Sequence, residues 1–464
     1  MRRCFLTGLT LTILFGAGCT GNVRTSPSLA AISNGDSAAQ RSRSAAGYIE
    51  TLLHRFKSSP DAASPEAGLI LDASGNLYGT TIGGGHHPAC PGGYDTGCGT
   101  VFTIDASGKE RLLYSFRGKP DASQPFAGLL LKAGNLYGTT ASGGNVKPCY
   151  VYGGNGCGTV FRVNKSGSEA VVYEFKGNFG SGKGDGQGPM GGLVSDAAGN
   201  LYGTTPFGGK YESGTVFEIS KTGTETVLYS FTGAADGARP YSGVVRDAAG
   251  NLYGVTNLGA NSTCTSGCGT VFELNGTGTL TTLYRFKGGK DGGNPRGGLA
   301  MDAAGSLYGT AQNYGDLSCN KRGGNPGCGS VFKVDSSGKF TVLHTFAGSP
   351  DGATPSESLT LDENRQLYGT TSFGGDNSCN GGYSCGVAFE IDASGTESVL
   401  YTFTGGINDG EVPYGGLVRD TTGNLYGTTV SGGPGPCNQG CGVVFKLAPP
   451  QTRHAGFARE LRPR

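Results

Sequence analysis

One pentapeptide, Leu-Tyr-Gly-Thr-Thr, recurs along this 464-residue chain and constrains its fold more than any other feature. Five intact copies begin at Leu77, Leu136, Leu201, Leu367 and Leu425. Two altered copies begin at Leu252, as Leu-Tyr-Gly-Val-Thr, and at Leu307, as Leu-Tyr-Gly-Thr-Ala. Successive copies are 59, 65, 51, 55, 60 and 58 residues apart. A unit that returns at such a period indicates a repeat architecture, in which neighbouring units bury each other's apolar surface.

Each unit contains four short strands, which we name A to D, with the pentapeptide as strand B. In one unit, strand A begins at Gly192, strand C at Gly214 and strand D at Glu225, and tight turns containing Gly join A to B and C to D. Adjacent apolar residues such as Val216 and Phe217 are typical of strands covered on both faces. Four antiparallel strands in each of seven units predict an all-β fold, a seven-bladed β-propeller. A linear β-solenoid is the alternative, but its repeats are shorter and lack paired tight turns.

The two ends of the repeat region are complementary. A D-type strand at residues 51–56 precedes the first A strand, whereas the last C strand, at residues 442–447, has no D strand after it. If residues 51–56 supply the outer strand of the last blade, the ring closes and no sheet edge remains exposed. We therefore expect a propeller over residues 48–448, closed by the N-terminal strand, with a tail at residues 449–464.

Strand order places the two kinds of connection on opposite faces of the propeller. The A–B and C–D turns are short and alike, and we call their side the turn face. The B–C and D–A loops vary in length and content, and we call their side the loop face. Variable loops on a rigid scaffold are the usual place for binding, so we expect any ligand site on the loop face.

The N-terminal segment differs in composition from the repeats. Met1-Arg2-Arg3 is basic, residues 5–15 are mostly apolar, and small residues precede Cys19, which is typical of a secretory signal. The stretch is too short for a membrane-spanning helix of ~20 residues. It resembles a bacterial lipoprotein signal, in which the Cys after the cleavage site is acylated, although Gly16 stands where an aliphatic residue is usual. This interpretation gives a signal peptide at residues 1–18, a lipidated Cys19 and a flexible tether at residues 19–47. Ordinary secretion, with Cys19 removed or free, is the alternative.

Twelve further Cys occur in pairs within the B–C loops, and the second of each pair directly precedes strand C. The third unit has the shortest loop and lacks both Cys together, which predicts one disulfide within each of the other six loops. Metal sites are the alternative, but Zn²⁺ normally needs four ligands and no His recurs beside the pairs. The pairs are Cys90 and Cys98, Cys149 and Cys157, Cys264 and Cys268, Cys319 and Cys328, Cys379 and Cys385, and Cys437 and Cys441.

Every D–A loop carries an Asp that is followed four residues later by Pro. The favoured interpretation is a turn, in which the carboxylate accepts backbone N–H bonds and Pro fixes the start of strand A. The alternative is a ring of carboxylates on the loop face that binds a cation or a polar ligand. The aspartates are Asp61, Asp121, Asp185, Asp236, Asp291, Asp351 and Asp409.

Composition and motif searches narrow the functions open to the chain. Charged residues make up only 15% of the chain and the formal net charge is +1, so we expect no nucleic-acid partner. The sequence contains no nucleophile elbow, zinc-protease motif or phosphate loop. The pair His86-His87 could bind metal weakly, although a solvated loop is the simpler interpretation. We identify no catalytic residue, metal ligand set or cofactor, but a carboxylate pair among the Asp and Glu residues leaves a glycosidase or lyase open.

The complete unit resembles the Gloeo/Verruco tandem repeat family of bacterial exported proteins. Matching stretches are Gly416-Leu-Val-Arg-Asp420, Gly423-Asn-Leu-Tyr-Gly-Thr-Thr429 and Gly214-Thr-Val-Phe217, and the likeness extends over residues 48–447. The resemblance implies surface or secreted proteins held by differing anchors, and it implies no catalytic residues. Two turns depart from the pattern, at residues 363–366 and 132–135.

We expect an exported, lipid-anchored propeller that acts as a non-enzymatic binding or scaffold protein at the cell envelope. Its ligand would be a glycan or a protein, it would contact the membrane only through the lipid, and it would be a monomer. The alternative is a secreted polysaccharide hydrolase or lyase with its site in the central depression of the loop face. Unrepeated acidic or basic residues that converge at the propeller axis would favour a site there.

Overall fold

Short antiparallel strands account for nearly all regular structure in the computed structural model. The structure describes residues 47–450 except 88–89, 91–96, 145–148, 150–155, 178–183, 261–263, 265, 320–325, 377–378, 380–383 and 438. Within these residues the only helical element is a 3-10 turn at Gly406–Asn408. No helix in the described part is long and apolar enough to cross a membrane.

The strands of the described residues follow one another with short connections. In chain order they are β1 (Ile49–Arg55), β2 (Ala62–Ala63), β3 (Ile70–Leu71), β4 (Leu77–Thr81), β5 (Gly83–Gly84), β6 (Thr100–Ile104), β7 (Glu110–Ser115), β8 (Ala122–Ser123), β9 (Leu130–Lys132), β10 (Asn135–Thr140), β11 (Ser142–Gly143), β12 (Thr159–Asn164), β13 (Glu169–Glu174), β14 (Val194–Ser195), β15 (Leu201–Thr205), β16 (Thr215–Ile219), β17 (Glu225–Ser230), β18 (Val245–Arg246), β19 (Leu252–Thr256), β20 (Thr270–Leu274), β21 (Leu280–Arg285), β22 (Ala300–Met301), β23 (Leu307–Ala311), β24 (Ser330–Val334), β25 (Phe340–Thr345), β26 (Thr360–Leu361), β27 (Leu367–Thr371), β28 (Val387–Ile391), β29 (Glu397–Thr402), β30 (Gly410–Glu411), β31 (Val418–Arg419), β32 (Leu425–Thr429), β33 (Ser431–Gly432) and β34 (Val443–Ala448).

These strands form seven four-stranded antiparallel sheets in a ring, so the fold is a seven-bladed β-propeller. Blades 1 to 6 are β3-β4-β6-β7, β9-β10-β12-β13, β14 to β17, β18 to β21, β22 to β25 and β26 to β29. Blade 7 has the order β1-β34-β32-β31, so the N-terminal strand is its outer strand. Thr51 pairs with Lys446 and Arg55 with Val443, which confirms the predicted closure.

The loop face is ordered by contacts between the two kinds of loop. In each blade the B–C loop pairs with the D–A loop that enters that blade. Three of these pairings are two-stranded sheets, β2-β5, β8-β11 and β30-β33. The other four are single bridges, Gln187 to Phe207, Ala238 to Leu258, Gly293 to Asn313 and Ala353 to Phe373. Both loop types therefore lie on one face, as predicted.

Buried phenylalanines join each blade to the next. The Phe that ends each D strand meets the Phe of the following C strand edge to face, with ring centroids 5.0–5.2 Å apart. All fourteen rings are fully buried. Such contacts stabilise by more than area burial alone. The pairs are Phe56 and Phe102, Phe116 and Phe161, Phe175 and Phe217, Phe231 and Phe272, Phe286 and Phe332, Phe346 and Phe389, and Phe403 and Phe445.

The pentapeptide recurs because each of its positions has a separate structural task. In the first copy, Leu77 is buried and the hydroxyl of Tyr78 donates to Asp72 of the A–B turn at 3.0 Å. A Cβ on Gly79 would lie 2.6 Å from the ring of Phe102, so this residue must be glycine. Thr80 donates to the carbonyl of Ala127 in the next blade, and the Thr81 hydroxyl hydrogen-bonds strand C of its own blade. One short segment thus contacts the A–B turn, the buried core and the neighbouring blade.

Candidate functional site

The structure contains all six predicted disulfides. They link Cys90 to Cys98, Cys149 to Cys157, Cys264 to Cys268, Cys319 to Cys328, Cys379 to Cys385 and Cys437 to Cys441. The carbonyl of the second Cys accepts an N–H from the following D–A loop, as where Cys98 accepts from Gln124 at 3.0 Å. In the third unit Ser213 takes that place and accepts from Arg239 at 2.9 Å. The disulfides therefore support the D–A loops from within the loop face.

The seven aspartates each hold their own D–A loop. Each carboxylate accepts the backbone N–H of a residue near the start of its loop, at 2.7–3.0 Å in the best contact. None of them lines the central depression. The geometry is that of the turn interpretation.

Sequence reasoning missed the partner that each of these aspartates takes from strand D. In five blades a Tyr hydroxyl donates to the carboxylate at 2.5–3.1 Å, from Tyr114, Tyr173, Tyr229, Tyr284 and Tyr401. In the other two blades the residue is His54 or His344. The aromatic residue that recurs in strand D ahead of the Asp is the sequence signal that could have revealed this pairing.

Two other predictions concern Cys19 and the pair His86-His87. Cys19 lies outside the described residues, so its lipidation stays a prediction. His86 and His87 lie on the loop face beside strand β7, where the backbone N–H of His86 donates to Ser115 at 2.8 Å. That contact is compatible with the solvated-loop interpretation of the pair.

The D–A loops deliver one variable residue each to a depression at the propeller axis. This cavity of about 290 Å³ is lined by the first residues of all seven A strands. Below it the A strands approach so closely that a Cβ on Gly243 would lie 2.1 Å from the carbonyl oxygen of Gly192. The residue after the recurrent Pro is Tyr in two units and is a different residue in each of the other five. The residues lining the cavity from this part of the loops are Glu66, Phe126, Met190, Tyr241, Arg296, Glu357 and Tyr414.

Arg296 is the cation of this depression and lies between two aromatic rings. Its guanidinium carbon is 5.2 Å from the centroid of Tyr241 and 5.5 Å from that of Tyr414. Cation–π contacts of this kind fix the plane of an Arg side chain. Among the described residues no carboxylate oxygen lies within 4.0 Å of the guanidinium, although Glu66 and Glu357 line the same cavity. The N–H groups of Arg296 therefore remain available to a ligand.

The two glutamates of the depression have raised pKa values. Burial raises the pKa of Glu66 to about 7 and the pKa of Glu357 to about 8, and the nearby charge of Arg296 opposes both shifts. Burial also raises the pKa of Tyr414. Both shifts favour the protonated form, in which a carboxyl can donate a hydrogen bond. Titratable groups displaced in this way are concentrated at functional sites.

The depression is asymmetric. Blades 4 to 7 and blade 1 supply its polar residues, whereas Phe126 and Met190, from blades 2 and 3, form an apolar side. Unrepeated charged residues thus converge at the propeller axis, as a ligand site there requires. The sequence signal was the variable position after each recurrent Pro, except in blade 6, where that position is Ser356 and the lining residue is the next one, Glu357.

Comparison with family models finds the Gloeobacter/Verrucomicrobia repeat four times in tandem. The overlapping matches cover residues 32–263, 149–319, 236–379 and 317–458. No curated protein matches the chain.

Solved structures are similar in fold at low sequence identity. A fungal alcohol oxidase of the AA5 family, solved with copper, shares 13% identity over 86% of this chain and 75% of its own, with a TM-score of 0.51. The extracellular domain of the proposed one-component system BT4673 from B. thetaiotaomicron shares 10% identity over 84% of this chain, with a TM-score of 0.49. The present chain spans only 39% of that chain. A luciferin-regenerating enzyme shares 12% identity over 87% of this chain and 95% of its own, with a TM-score of 0.37. These likenesses concern the fold alone.

Proposed function

The chain belongs to the Gloeobacter/Verrucomicrobia repeat family, which is defined by what its repeats share, and we propose that its function lies where the repeats differ, in the central depression. The proposed function is the binding of a small anionic ligand, a saccharide that carries a carboxylate. One observation carries the proposal: Arg296 lies between Tyr241 and Tyr414 with no carboxylate partner among the described residues.

The lining of the depression fits this class of ligand. A planar guanidinium binds a carboxylate through two parallel hydrogen bonds. The phenol of Tyr414 and the carboxyls of Glu66 and Glu357 suit the hydroxyls of a sugar ring, and Phe126 offers an apolar surface for its C–H face. The cavity of about 290 Å³ is at the lower end of ligand-site volumes, so the ligand should be one or two sugar units.

The place of action is the second part of the proposal. Six disulfides support an exported protein, because such bonds persist in oxidising compartments. The basic and apolar N-terminal segment supports a signal peptide at residues 1–18, and the sequence Ala17-Gly18-Cys19 supports a lipid anchor at the cell envelope.

The experiment is a glycan array followed by calorimetry with uronic acids and with their neutral sugar counterparts. The wild-type protein should bind uronates and not the neutral sugars. Arg296→Met should lower the affinity about ten- to a hundredfold, which corresponds to a charged hydrogen-bonding partner worth about 1.5–3 kcal/mol. Arg419→Met is the matched control, because Arg419 also lies over a tyrosine, at 5.8 Å from the ring centroid of Tyr368, but outside the depression. Equal binding of neutral sugars, or no effect of Arg296→Met, would refute the proposal.

A specific observation favours one other function, a hydrolase or lyase acting on the same ligand class. Two carboxyls with raised pKa values share one cavity, and such a pair can act as general acid and general base. In that case Glu357 would be the acid and Glu66 the base. Incubation with uronate oligosaccharides distinguishes the functions. An enzyme would release shorter or unsaturated products, and Glu357→Gln would abolish release while keeping affinity, whereas a binding protein would leave the oligosaccharides intact.

A further inference from the structure

Two blades replace the tyrosine of strand D with histidine. Five blades place a phenol against the aspartate of the D–A loop, but blades 7 and 5 place His54 against Asp61 and His344 against Asp351. The Nε2 atom of His54 is 3.5 Å from Oδ2 of Asp61, and Nε2 of His344 is 3.1 Å from Oδ1 of Asp351. An imidazole nitrogen is a good metal ligand, whereas a protonated phenol is not.

A glutamate from the neighbouring blade completes each pair. Glu110 opens strand β7 of blade 1 and faces His54 and Asp61, and Glu397 opens strand β29 of blade 6 and faces His344 and Asp351. In each group one ligand atom from every residue lies within 4.8 Å of the other two. The Oε1 atoms of Glu110 and Glu397 are buried and, within the described part of the chain, have no hydrogen-bond partner, a condition shared by Oε1 of Glu50, Glu169 and Glu225, which lie near aspartates paired with tyrosine. What distinguishes the two groups is therefore the imidazole beside the two carboxyls.

In the described part of the chain, each group brings three titratable side chains together without a Lys or Arg ion-pair partner. Two carboxyls and one imidazole meet in a partly buried place, and among the described residues no Lys or Arg forms an ion pair with any of them. Adjacent carboxylates repel each other unless a proton or a cation lies between them. A divalent ion would neutralise both.

We propose that the chain binds two zinc-class divalent ions, one at His54, Asp61 and Glu110 and one at His344, Asp351 and Glu397. Each ion would take one imidazole nitrogen and two carboxylate oxygens, with water in the remaining position. The donor set favours Zn²⁺ over Ca²⁺ or Mg²⁺, which prefer all-oxygen sites.

The geometry is close to that of a bound ion. Zn²⁺ bonds of about 2.0–2.2 Å in a tetrahedron place ligand atoms roughly 3.4 Å apart. The His–Asp separations of 3.5 and 3.1 Å already match, so only the glutamate must move inward, by up to about 1.4 Å on the same bond lengths. The His and Asp side chains are 18–22% exposed, which gives an ion and its water a path from solvent. The His54 ring is held edge to face on Phe56, at 4.7 Å between centroids, and His344 is held likewise on Phe346 at 4.8 Å.

The other blades serve as internal references. Glu169 and Glu225 occupy the same place as Glu110, but they lie near Asp121 and Asp185, whose strand D partners are tyrosines. Beside the tyrosines this glutamate is not always present. The first residue of strand D in the neighbouring blade is Leu280 in one case and Phe340 in another. Both histidines are faced by a glutamate, whereas the tyrosines are faced by a glutamate in some blades and by Leu280 or Phe340 in the others.

The sites would add a cross-link between blades. His54 lies on β1, the strand that closes the ring, and Asp61 lies in the loop that follows it, whereas Glu110 belongs to blade 1. A bound ion would therefore tie the closing strand to the first blade. Binding to the folded state alone raises its stability with ion concentration.

The experiment is metal analysis and thermal melting of the mature protein after dialysis against chelator and addition of ZnCl₂. The wild type should hold two Zn²⁺ per chain and melt at a higher temperature with Zn²⁺ than without. His54→Tyr and His344→Tyr each introduce the residue found in the other five blades, so each variant should fold. Each should hold one Zn²⁺ and show a smaller rise in melting temperature with Zn²⁺ than the wild type. The double variant should hold none. His86→Ala/His87→Ala is the control and should still hold two. A wild type that binds no Zn²⁺, a double variant that still binds two, or loss of binding in the His86/His87 control would overturn the proposal.

Discussion

The hydroxyl of Thr428 donates a hydrogen bond of 3.0 Å to the carbonyl oxygen of Ala67, 361 residues earlier in the chain. It has the same form as the bond from Thr80 to Ala127, which joins blades 1 and 2. The junction of the last blade with the first is thus built like the junctions between consecutive blades. The interface that closes the ring resembles the interfaces between consecutive blades. Its loss should therefore lower the free energy of unfolding by as much as the loss of one of them.

Phe56→Ala tests the closing interface. Phe56 is fully buried against Phe102 of blade 1, so we expect a loss of about 3–5 kcal/mol in the free energy of unfolding, measured by chemical denaturation. Phe231→Ala, at an interface between consecutive blades, should cost the same within about 1 kcal/mol, because the two sites share their chemistry and burial. A much smaller effect at Phe56 would indicate an open array.

Deletion of the closing strand extends this test. Removal of residues 48–56 should cost several kcal/mol and cause aggregation, because it exposes the edge of β34. Removal of residues 20–47 should change neither the melting temperature nor the solubility. An unchanged melting temperature after the first deletion would contradict the closed propeller.

Val255→Thr should stabilise the protein. Six units use the first Thr of the pentapeptide to donate to the next blade, at 2.6–3.2 Å, but the fourth unit has Val255 there. The restored hydroxyl would face the carbonyl of Gly297 and should add about 0.5–1.5 kcal/mol. The reverse change, Thr204→Val, should cost at least as much, because it leaves the carbonyl of Ser242 without that donor. Denaturation of both variants gives the comparison, and a loss of stability in Val255→Thr would contradict this account.

The loop disulfides should each contribute about 2 kcal/mol by the loop-entropy estimate. The double variant Cys264→Ser/Cys268→Ser should therefore unfold at a lower denaturant concentration, and the wild type with reductant should lose more. The natural blade 3, which has Ser213 in place of the second Cys, indicates that a blade without a disulfide still folds. Non-reducing peptide mapping should show Cys264 linked to Cys268, and links between blades would contradict the structure.

Alkaline conditions should weaken the fold through Glu50. Burial and then the negative charge of Asp409 raise the pKa of Glu50 to about 8, and the residue is 1% exposed. A raised carboxyl pKa means that the folded state binds the proton more tightly. Its contribution is therefore complete below the ordinary Glu pKa of about 4.3 and is lost as the pH rises towards 8. The melting temperature should fall between pH 5 and pH 9, and Glu50→Gln should flatten part of that decline. Glu212→Gln, at an exposed residue, is the control and should leave the profile unchanged.

Lipidation of Cys19 stays a prediction, based on Ala17-Gly18-Cys19. Mass spectrometry of membrane fractions should find an acylated N-terminal peptide beginning at Cys19. Cys19→Ser should release the protein from the membrane. A soluble wild-type protein with a different N-terminus would contradict the prediction.

The fold could be predicted from the sequence because the pentapeptide and the strands and turns around it recur in every unit. Strand D at residues 51–56 and strand C at 442–447 showed the closure, since each lacked a partner within its own unit. The disulfides were predictable for a similar reason, because both Cys of a pair lie in one loop and are absent together from the third unit.

The sequence indicated the central depression as one possible site, but the residues that form it could not be named in advance because they are distant in the chain. Glu66, Arg296 and Glu357 meet only when the ring closes, and each occupies a position that looks like unimportant variation within a single unit. The exchange of Tyr for His54 and His344 was overlooked for a different reason. Its meaning comes from Glu110 and Glu397, which belong to the adjacent blade.

The close approach of the A strands below the depression has a consequence for how related chains can be compared. Because backbone contacts such as that between Gly192 and Gly243 hold the strands, substitutions above them can alter the lining without moving the blades. The seven lining residues here, each one or two positions after a recurrent Pro, are Glu66, Phe126, Met190, Tyr241, Arg296, Glu357 and Tyr414. Such a seven-letter signature can be extracted from any chain of this repeat without a structure. A signature with two Arg would suit a dianion, and one with neither Arg nor Lys would suit a neutral ligand.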